Sequence, residues 1–346
     1  MKIPAFPRWF LPLVFGAVLA TGFSPAALAG YAIARQIPLP GNAGWDYFTT
    51  DSTARRLYAT HGDRVQVLDL DTLALVGEIA PLSGIHGVAI AADLGRGFVS
   101  NGKTSTITVF DLKTLHVLAT WPAGGQKPDA ILYDAATKRV CSFNGGSDNV
   151  TVFDAATGQL AGTIVLGGGP EFPAADGTGR VFVNIEDNNE IVRFDLHTLA
   201  VTAHWPLAPA EGPSAMAFDA AHHRVFSGCR SQQLVVLNSD TGAIIARLPI
   251  GKGVDAASYL PAKGLVFISN GDGTLNVFHQ TDADHYTLAE TVHTAPGART
   301  HAVDDATGRV FLGSARYLPA PATAPGQPPV RPSLEPGSFR VLVLKP

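Results

Sequence analysis

Cysteine is almost missing from this chain: its 346 residues include only Cys141 and Cys229. Neither has a C-x-x-C partner, so the usual metal and dithiol redox signatures are excluded. Basic residues are also scarce, 25 Lys and Arg against 29 Asp and Glu, and the formal net charge is −4. Sequence-independent binding to DNA needs clustered Lys and Arg against phosphate, and this chain lacks that footprint. Dinucleotide, P-loop and G-x-S-x-G fingerprints are absent in any strand-to-helix context. Most of the eleven histidines are scattered without the close spacing of zinc ligands. Helical periodicity of any length is missing too, which turns attention to strands.

What is present is a core-forming, turn-rich composition. Hydrophobic residues make up 46% of the chain and charged residues 16%, with 36 Gly and 25 Pro. That supports a buried core, and it falls short of low-complexity disorder.

The N-terminus reads as a targeting segment. Lys2 and Arg8 precede an apolar run from Trp9 to Ala20, and Ala27-Leu28-Ala29 follows before Gly30. This is the charged, apolar, A-x-A order of a secretory signal peptide. The run is short for a bilayer and contains Pro12. The sequence therefore predicts a signal peptide over 1–29, cleaved after Ala29, and a single domain over 30–346. Loss of Lys2 and Arg8 takes the net charge from −4 to −6. A periplasmic protein with no membrane span is the expected product. A disulfide is permitted in that compartment, but the repeat register puts the two cysteines on non-neighbouring units, so separate thiols are expected.

The mature chain repeats. A basic residue, a β-branched or small residue and an aromatic recur as Arg56-Leu57-Tyr58, Arg96-Gly97-Phe98, Arg139-Val140-Cys141 and Arg180-Val181-Phe182. The pattern continues as Arg224-Val225-Phe226, Leu265-Val266-Phe267 and Arg309-Val310-Phe311. The period is about 42 residues, the spacing of propeller blades. A second alternating strand follows each anchor, as in Val65–Asp69, Ile107–Asp111 and Val150–Asp154, and then a polar turn. Four short strands fill a unit of this size. The expected fold is all-β, a seven-bladed β-propeller of four-stranded antiparallel blades. Unit seven contains the Pro-rich stretch 317–338, read as a solvated loop, and ends one strand short. The mature N-terminus, Tyr31 to Ile37, alternates and could supply that strand and close the ring.

Phe98-Val99-Ser100-Asn101, Phe182-Val183-Asn184 and Phe267-Ile268-Ser269-Asn270 look like degenerate copies of the YVTN repeat. On these motifs the chain resembles the exported YncE-like, YVTN-type seven-bladed propellers over nearly all of its mature length. The resemblance implies a periplasmic or extracellular propeller and supplies no shared catalytic set, because the repeated residues are structural.

Register arithmetic locates the mouth of the central channel. Innermost strands should start at Asp46, His86, Asp129, Glu171, Ser214, Asp255 and Arg299. The second strands should end at His61, Asn101, Asn144, Ile185, Cys229, Asn270 and Ser314, with Glu186 and Arg230 one step further. Four carboxylates converging on one opening repel one another. They must shift their pKa values, recruit a cation, or be neutralised by Arg299, Arg230 and His86. Such a cluster is a site candidate. Asp is also a common turn and capping residue, which is the competing structural explanation for any one position. The candidate ligand-binding set is Asp46, His61, His86, Asn101, Asp129, Asn144, Glu171, Glu186, Arg230, Asp255, Asn270 and Arg299. Cys141, in place of a repeat aromatic, reads as a core thiol. Cys229, beside Arg230, is a candidate for an activated thiol. His222-His223 falls in a hairpin turn on the opposite face and reads as solvated.

No nucleophile–base pair is evident, which favours a non-catalytic binding or scaffold role over catalysis and leaves catalytic residues unassigned. The funnel would receive a small polar ligand, a cation or a periplasmic partner protein, with the protein a monomer, no cofactor and no assigned metal ligands. The alternative is a metal-assisted hydrolase or lyase, lactonase-like, with Ca²⁺ or Mg²⁺ on the same oxygen ligands. Nucleic-acid binding ranks third, against the acidic charge.

Overall fold

A computed structural model describes residues 1, 2, 4, 30–321 and 332–346 of the chain. The segment expected to be a signal peptide, except for residues 1, 2 and 4, and residues 322–331 of the Pro-rich stretch lie outside the described residues. The chain folds into seven four-stranded antiparallel sheets. Six are consecutive in sequence, and their innermost strands are Trp45–Asp51, Ile85–Ala91, Pro128–Asp134, Pro170–Ala175, Pro213–Asp219 and Val254–Leu260. We number these sheets as blades 1 to 6.

Blade 7 is a composite. Its three inner strands, His301–Val303, Val310–Ser314 and Arg340–Lys345, come from the C-terminus, and its outer strand, Ala32–Pro38, from the N-terminus. That outer strand runs antiparallel to the last, from Ala32 opposite Lys345 to Pro38 opposite Arg340. Innermost strands abut in sequence order, and His301–Val303 touches both Val254–Leu260 and Trp45–Asp51, which completes the ring. A ring leaves short, protected sheet edges. The Pro-rich stretch leaves blade 7 between Ser314 and Arg340, and its two feet are zipped together. Leu318 N–H donates to the Ser333 carbonyl at 2.8 Å, and Glu335 N–H to that of Arg316 at 2.8 Å.

The repeat residues form the core. Tyr58, Phe98, Phe182, Phe226, Phe267 and Phe311 are fully buried between blades, as is Cys141 in the same place. Polar residues ending each third strand shape the turn that follows. Asp69, Asp111, Asp154, Asp195 and Asn238 each accept from backbone N–H groups two and three residues on and from a Thr hydroxyl, for example 2.7 Å from Thr72 N to Asp69. These Asx turns are local chemistry repeated at blade spacing, so each blade specifies its own turn.

Candidate functional site

A β-bulge sits at the same place in six blades. The pairing of innermost and second strands slips between Trp45 and Phe48, Ile85 and Val88, Pro128 and Ile131, Pro170 and Pro173, Pro213 and Ala215, and Val254 and Ala256. A bulge bends its strand and re-aims a side chain. The residues inside these slips include Asp46, His86, Asp129, Glu171, Ser214 and Asp255, and Arg299 precedes the innermost strand of blade 7. Side chains from the second strands pin the bulges. Thr60 Oγ1 accepts from Asp46 N–H at 3.1 Å and donates to the Tyr47 carbonyl at 3.0 Å. Ser100 donates to the Asp129 carbonyl, and Ser269 donates to that of Arg299.

Six of the sequence-predicted residues, Asp46, His86, Asp129, Glu171, Glu186 and Arg299, line one cavity of about 990 Å³ at the mouth. The other two charged candidates reach it through ion pairs. Asp255 Oδ2 lies 2.8 Å from Arg299 Nε. Arg230 pairs with Glu186 and lies 3.9 Å from Glu171. His61, Asn101, Asn144 and Asn270 do not face the cavity. All four are at most 2% exposed and serve their own blades. His61 lies 3.0 Å from Gln66 Oε1 and 2.9 Å from the Ala43 carbonyl. Asn101 donates to Thr108 at 2.9 Å, Asn144 to Asn149 at 2.9 Å, and Asn270 to Asn276 at 2.9 Å. A carboxamide at the end of a buried second strand closes the next hairpin, a structural duty that register arithmetic alone does not separate from binding.

The tightest cluster is Asp46, His86 and Asp129, whose ligand-capable atoms all fall within 4.8 Å of one another. His86 Nδ1 is 2.6 Å from Asp46 Oδ2 and 3.5 Å from Asp129 Oδ1. One N–H cannot serve both at full strength, and Asp129 Oδ1 is left buried with no hydrogen-bond partner among the described residues. Gly102 makes room for the imidazole: a Cβ there would lie 2.8 Å from His86 Nε2.

Burial decides the proton affinities. It pushes Asp129 up, with the charge of Asp46 adding to the rise and those of His86 and Arg299 opposing it. It pushes Glu171 up strongly, helped by hydrogen bonding to Glu186 and the charge of Asp129. Asp255 rises to about 7, again from burial first and against Arg299. Burial would lower His86, but the hydrogen bond to Asp46 and the charge of Asp129 outweigh it and leave the imidazole above its ordinary value. Asp46, Asp129, Glu171, Glu186 and Asp187 outnumber Lys103, Lys127 and Arg299 in the cavity lining, and burial favours the protonated form of Asp129, Glu171 and Asp255.

Two residues of this site were missed in the sequence. Tyr47 and Phe172 each follow a mouth residue, and their rings meet edge to face with centroids 4.7 Å apart. Burial and then the charges of Asp129, Asp46, Glu171 and Asp255 raise Tyr47 well above the usual phenol range. The signal was one register step away. The equivalent residues elsewhere are Gly87, Ala130, Ala215, Ala256 and Thr300, small enough to leave room for two aromatic rings.

Cys229 is fully buried, and burial pushes its thiol up to about 11. It is not an activated nucleophile; Arg230 turns away to Glu186. Both cysteines are free thiols. His222 and His223 are exposed and pair with Asp219 at 2.7 Å and Asp240 at 2.9 Å. Comparison with protein-family models and with curated proteins finds no match to this chain. Fold and site thus define a seven-bladed β-propeller with an acidic, histidine-containing mouth.

Proposed function

We propose that this protein is a binding propeller that captures a divalent cation at its mouth, with Asp46, His86 and Asp129 as ligands. The observation that carries the reading is the convergence of these three side chains from three consecutive blades, with Asp129 Oδ1 buried and unpartnered. A cation in their midst would replace the protons that burial now forces on the mouth. Imidazole beside carboxylate suits first-row transition ions such as Mn²⁺ or Zn²⁺ better than Ca²⁺ or Mg²⁺, which favour all-oxygen shells. Glu171, Glu186 and Arg299 would then face whatever anionic or polar group completes the shell.

Titration calorimetry of the mature chain with Mn²⁺ tests this. One ion per chain is expected, with affinity falling at least roughly tenfold in both Asp46→Asn and Asp129→Asn, each ligand being worth more than the 1.4 kcal/mol of that factor. No saturable uptake, or uptake indifferent to both substitutions, would exclude the site.

A metal-assisted hydrolase is the second reading, favoured by one arrangement: Glu171 lines the same cavity as Asp46, His86 and Asp129, and burial raises its carboxyl, the direction a general acid needs. Lactone turnover by the Mn²⁺-loaded chain, lost in Glu171→Gln, would support it; absence of turnover leaves the binding role. The repeat motifs and the N-terminal pattern support an exported YVTN-type propeller in the periplasm. N-terminal sequencing of protein from that compartment should begin at Gly30.

A further inference from the structure

Below Tyr47 and Phe172 the channel opens into a second cavity of about 420 Å³, lined by rings from Tyr133, Phe218 and Tyr259 and by His301. The partly exposed Tyr133, Phe218 and Tyr259 give it an opening on the face opposite the acidic mouth. Its chemistry is set by one exception to the repeat. The positions paired with the third residue after each anchor are Phe48, Val88, Ile131, Pro173, Met216 and Ala257 in blades 1 to 6. In blade 7 the same position is His301, opposite Leu312.

His301 is 4% exposed, and its tautomer follows from its neighbours. Ser269 uses its hydroxyl proton on the Arg299 carbonyl, so its oxygen accepts from His301 Nδ1–H at 2.7 Å. Nε2 is then a bare lone pair, and it has no partner among the described residues. Burial lowers the imidazole to about 3, so it stays neutral at ordinary pH. The seam between blades does not require this histidine. Ser100 makes the equivalent bond to the Asp129 carbonyl with Ile131 in the corresponding place on the next blade. A buried acceptor left unpaired is costly, and its natural complement is a donor brought in by a ligand.

We infer that this lower chamber is a binding site for a small, uncharged aromatic compound carrying a single O–H or N–H donor, the phenol or indole class, with His301 Nε2 as acceptor and the aromatic lining as walls. The lining suits stacked and edge-on rings. Its lining holds one carboxylate, Asp305, and no Lys or Arg to receive a carboxylate or phosphate.

The probes are phenol and toluene, which match in shape and differ in the donor, titrated calorimetrically into the full chain. Phenol should bind once per chain, roughly tenfold or more tighter than toluene, the factor an ordinary net hydrogen bond supplies. In His301→Leu that preference should vanish while Mn²⁺ uptake at the mouth stays unchanged. Equal affinity for the two probes, or no saturable phenol binding in the millimolar range, would overturn the assignment on the unaltered chain alone. The failure of either site is separable from that of the other, because the two cavities are read by different probes.

Discussion

Tyr47 of blade 1 meets Phe172 of blade 4 from across the ring, edge to face at 4.7 Å, and the contact divides the channel into an acidic mouth and an aromatic chamber. Because the two residues stand on opposite blades, the contact also ties distant parts of the ring together. Tyr47→Ala would join the two cavities and leave space that nearby Gly87 and Ala130 cannot refill. It should cost about 3 kcal/mol, within the range for removing a large aromatic, and denaturant melts would read it. A variant as stable as the parent would mean that the plug adds nothing to the fold.

Stability should fall as the solution becomes more alkaline. Asp255 binds its proton more tightly folded than unfolded, since burial raises it to about 7 from an ordinary value near 4. Its contribution is therefore complete below about pH 4 and is lost as pH rises through about 7. Thermal melts of the metal-free chain across that window should show a declining midpoint, with a shallower decline in Asp255→Asn. A midpoint that climbs over the window in both proteins would contradict the burial argument.

The ring is clasped where its first and last blades meet. Arg55 donates to both oxygens of Asp304, at 2.7 and 2.9 Å, across 249 residues of chain. The Asp304 side chain is fully buried, and although burial would raise it, Arg55, Thr307 and Ser52 hold its carboxyl well below the usual range. Asp304→Asn puts a neutral amide in the buried position and leaves the partly exposed Arg55 held by Asp71 at 2.8 Å. The expected loss is about 2–3 kcal/mol, below the full cost of breaking a buried pair because Arg55 keeps a carboxylate partner, measured by urea unfolding. A loss below about 1 kcal/mol would place the pair in the class of solvent-screened surface bridges.

Neither thiol should react with Ellman's reagent in the native state. Cys141 and Cys229 are both inaccessible, and burial raises both. Two thiols should titrate only after unfolding; prompt reaction of one in native buffer would show that its blade opens.

The repeat period made the ring legible, because each anchor aromatic must enter the same interblade core and each Asp-to-Thr turn must form locally. The same register made Asp46, His86, Asp129, Glu171 and Arg299 legible as a ring, since a β-bulge in each of six blades and the approach to the seventh carry residues far apart in sequence to one place. His61, Asn101, Asn144 and Asn270 were misjudged for a physical reason. Strand ends in a propeller are polar whether they serve a ligand or the next hairpin, and only burial tells these apart. Tyr47 and Phe172 escaped notice because aromatic residues within strands read as core, and His301 because a lone histidine carries no spacing signal. His301 departs from its six counterparts, and Tyr47 and Phe172 from the five small residues at their shared position, departures readable once the blades are aligned.

The account rests on three donors from separate blades meeting at one point, and anomalous diffraction at the manganese edge from crystals soaked in Mn²⁺ tests it most directly. The predicted result is one strong peak per chain bonded to Asp46, His86 Nδ1 and Asp129. A map with no peak among these residues, or with its only peaks on exposed acidic side chains elsewhere, would contradict it.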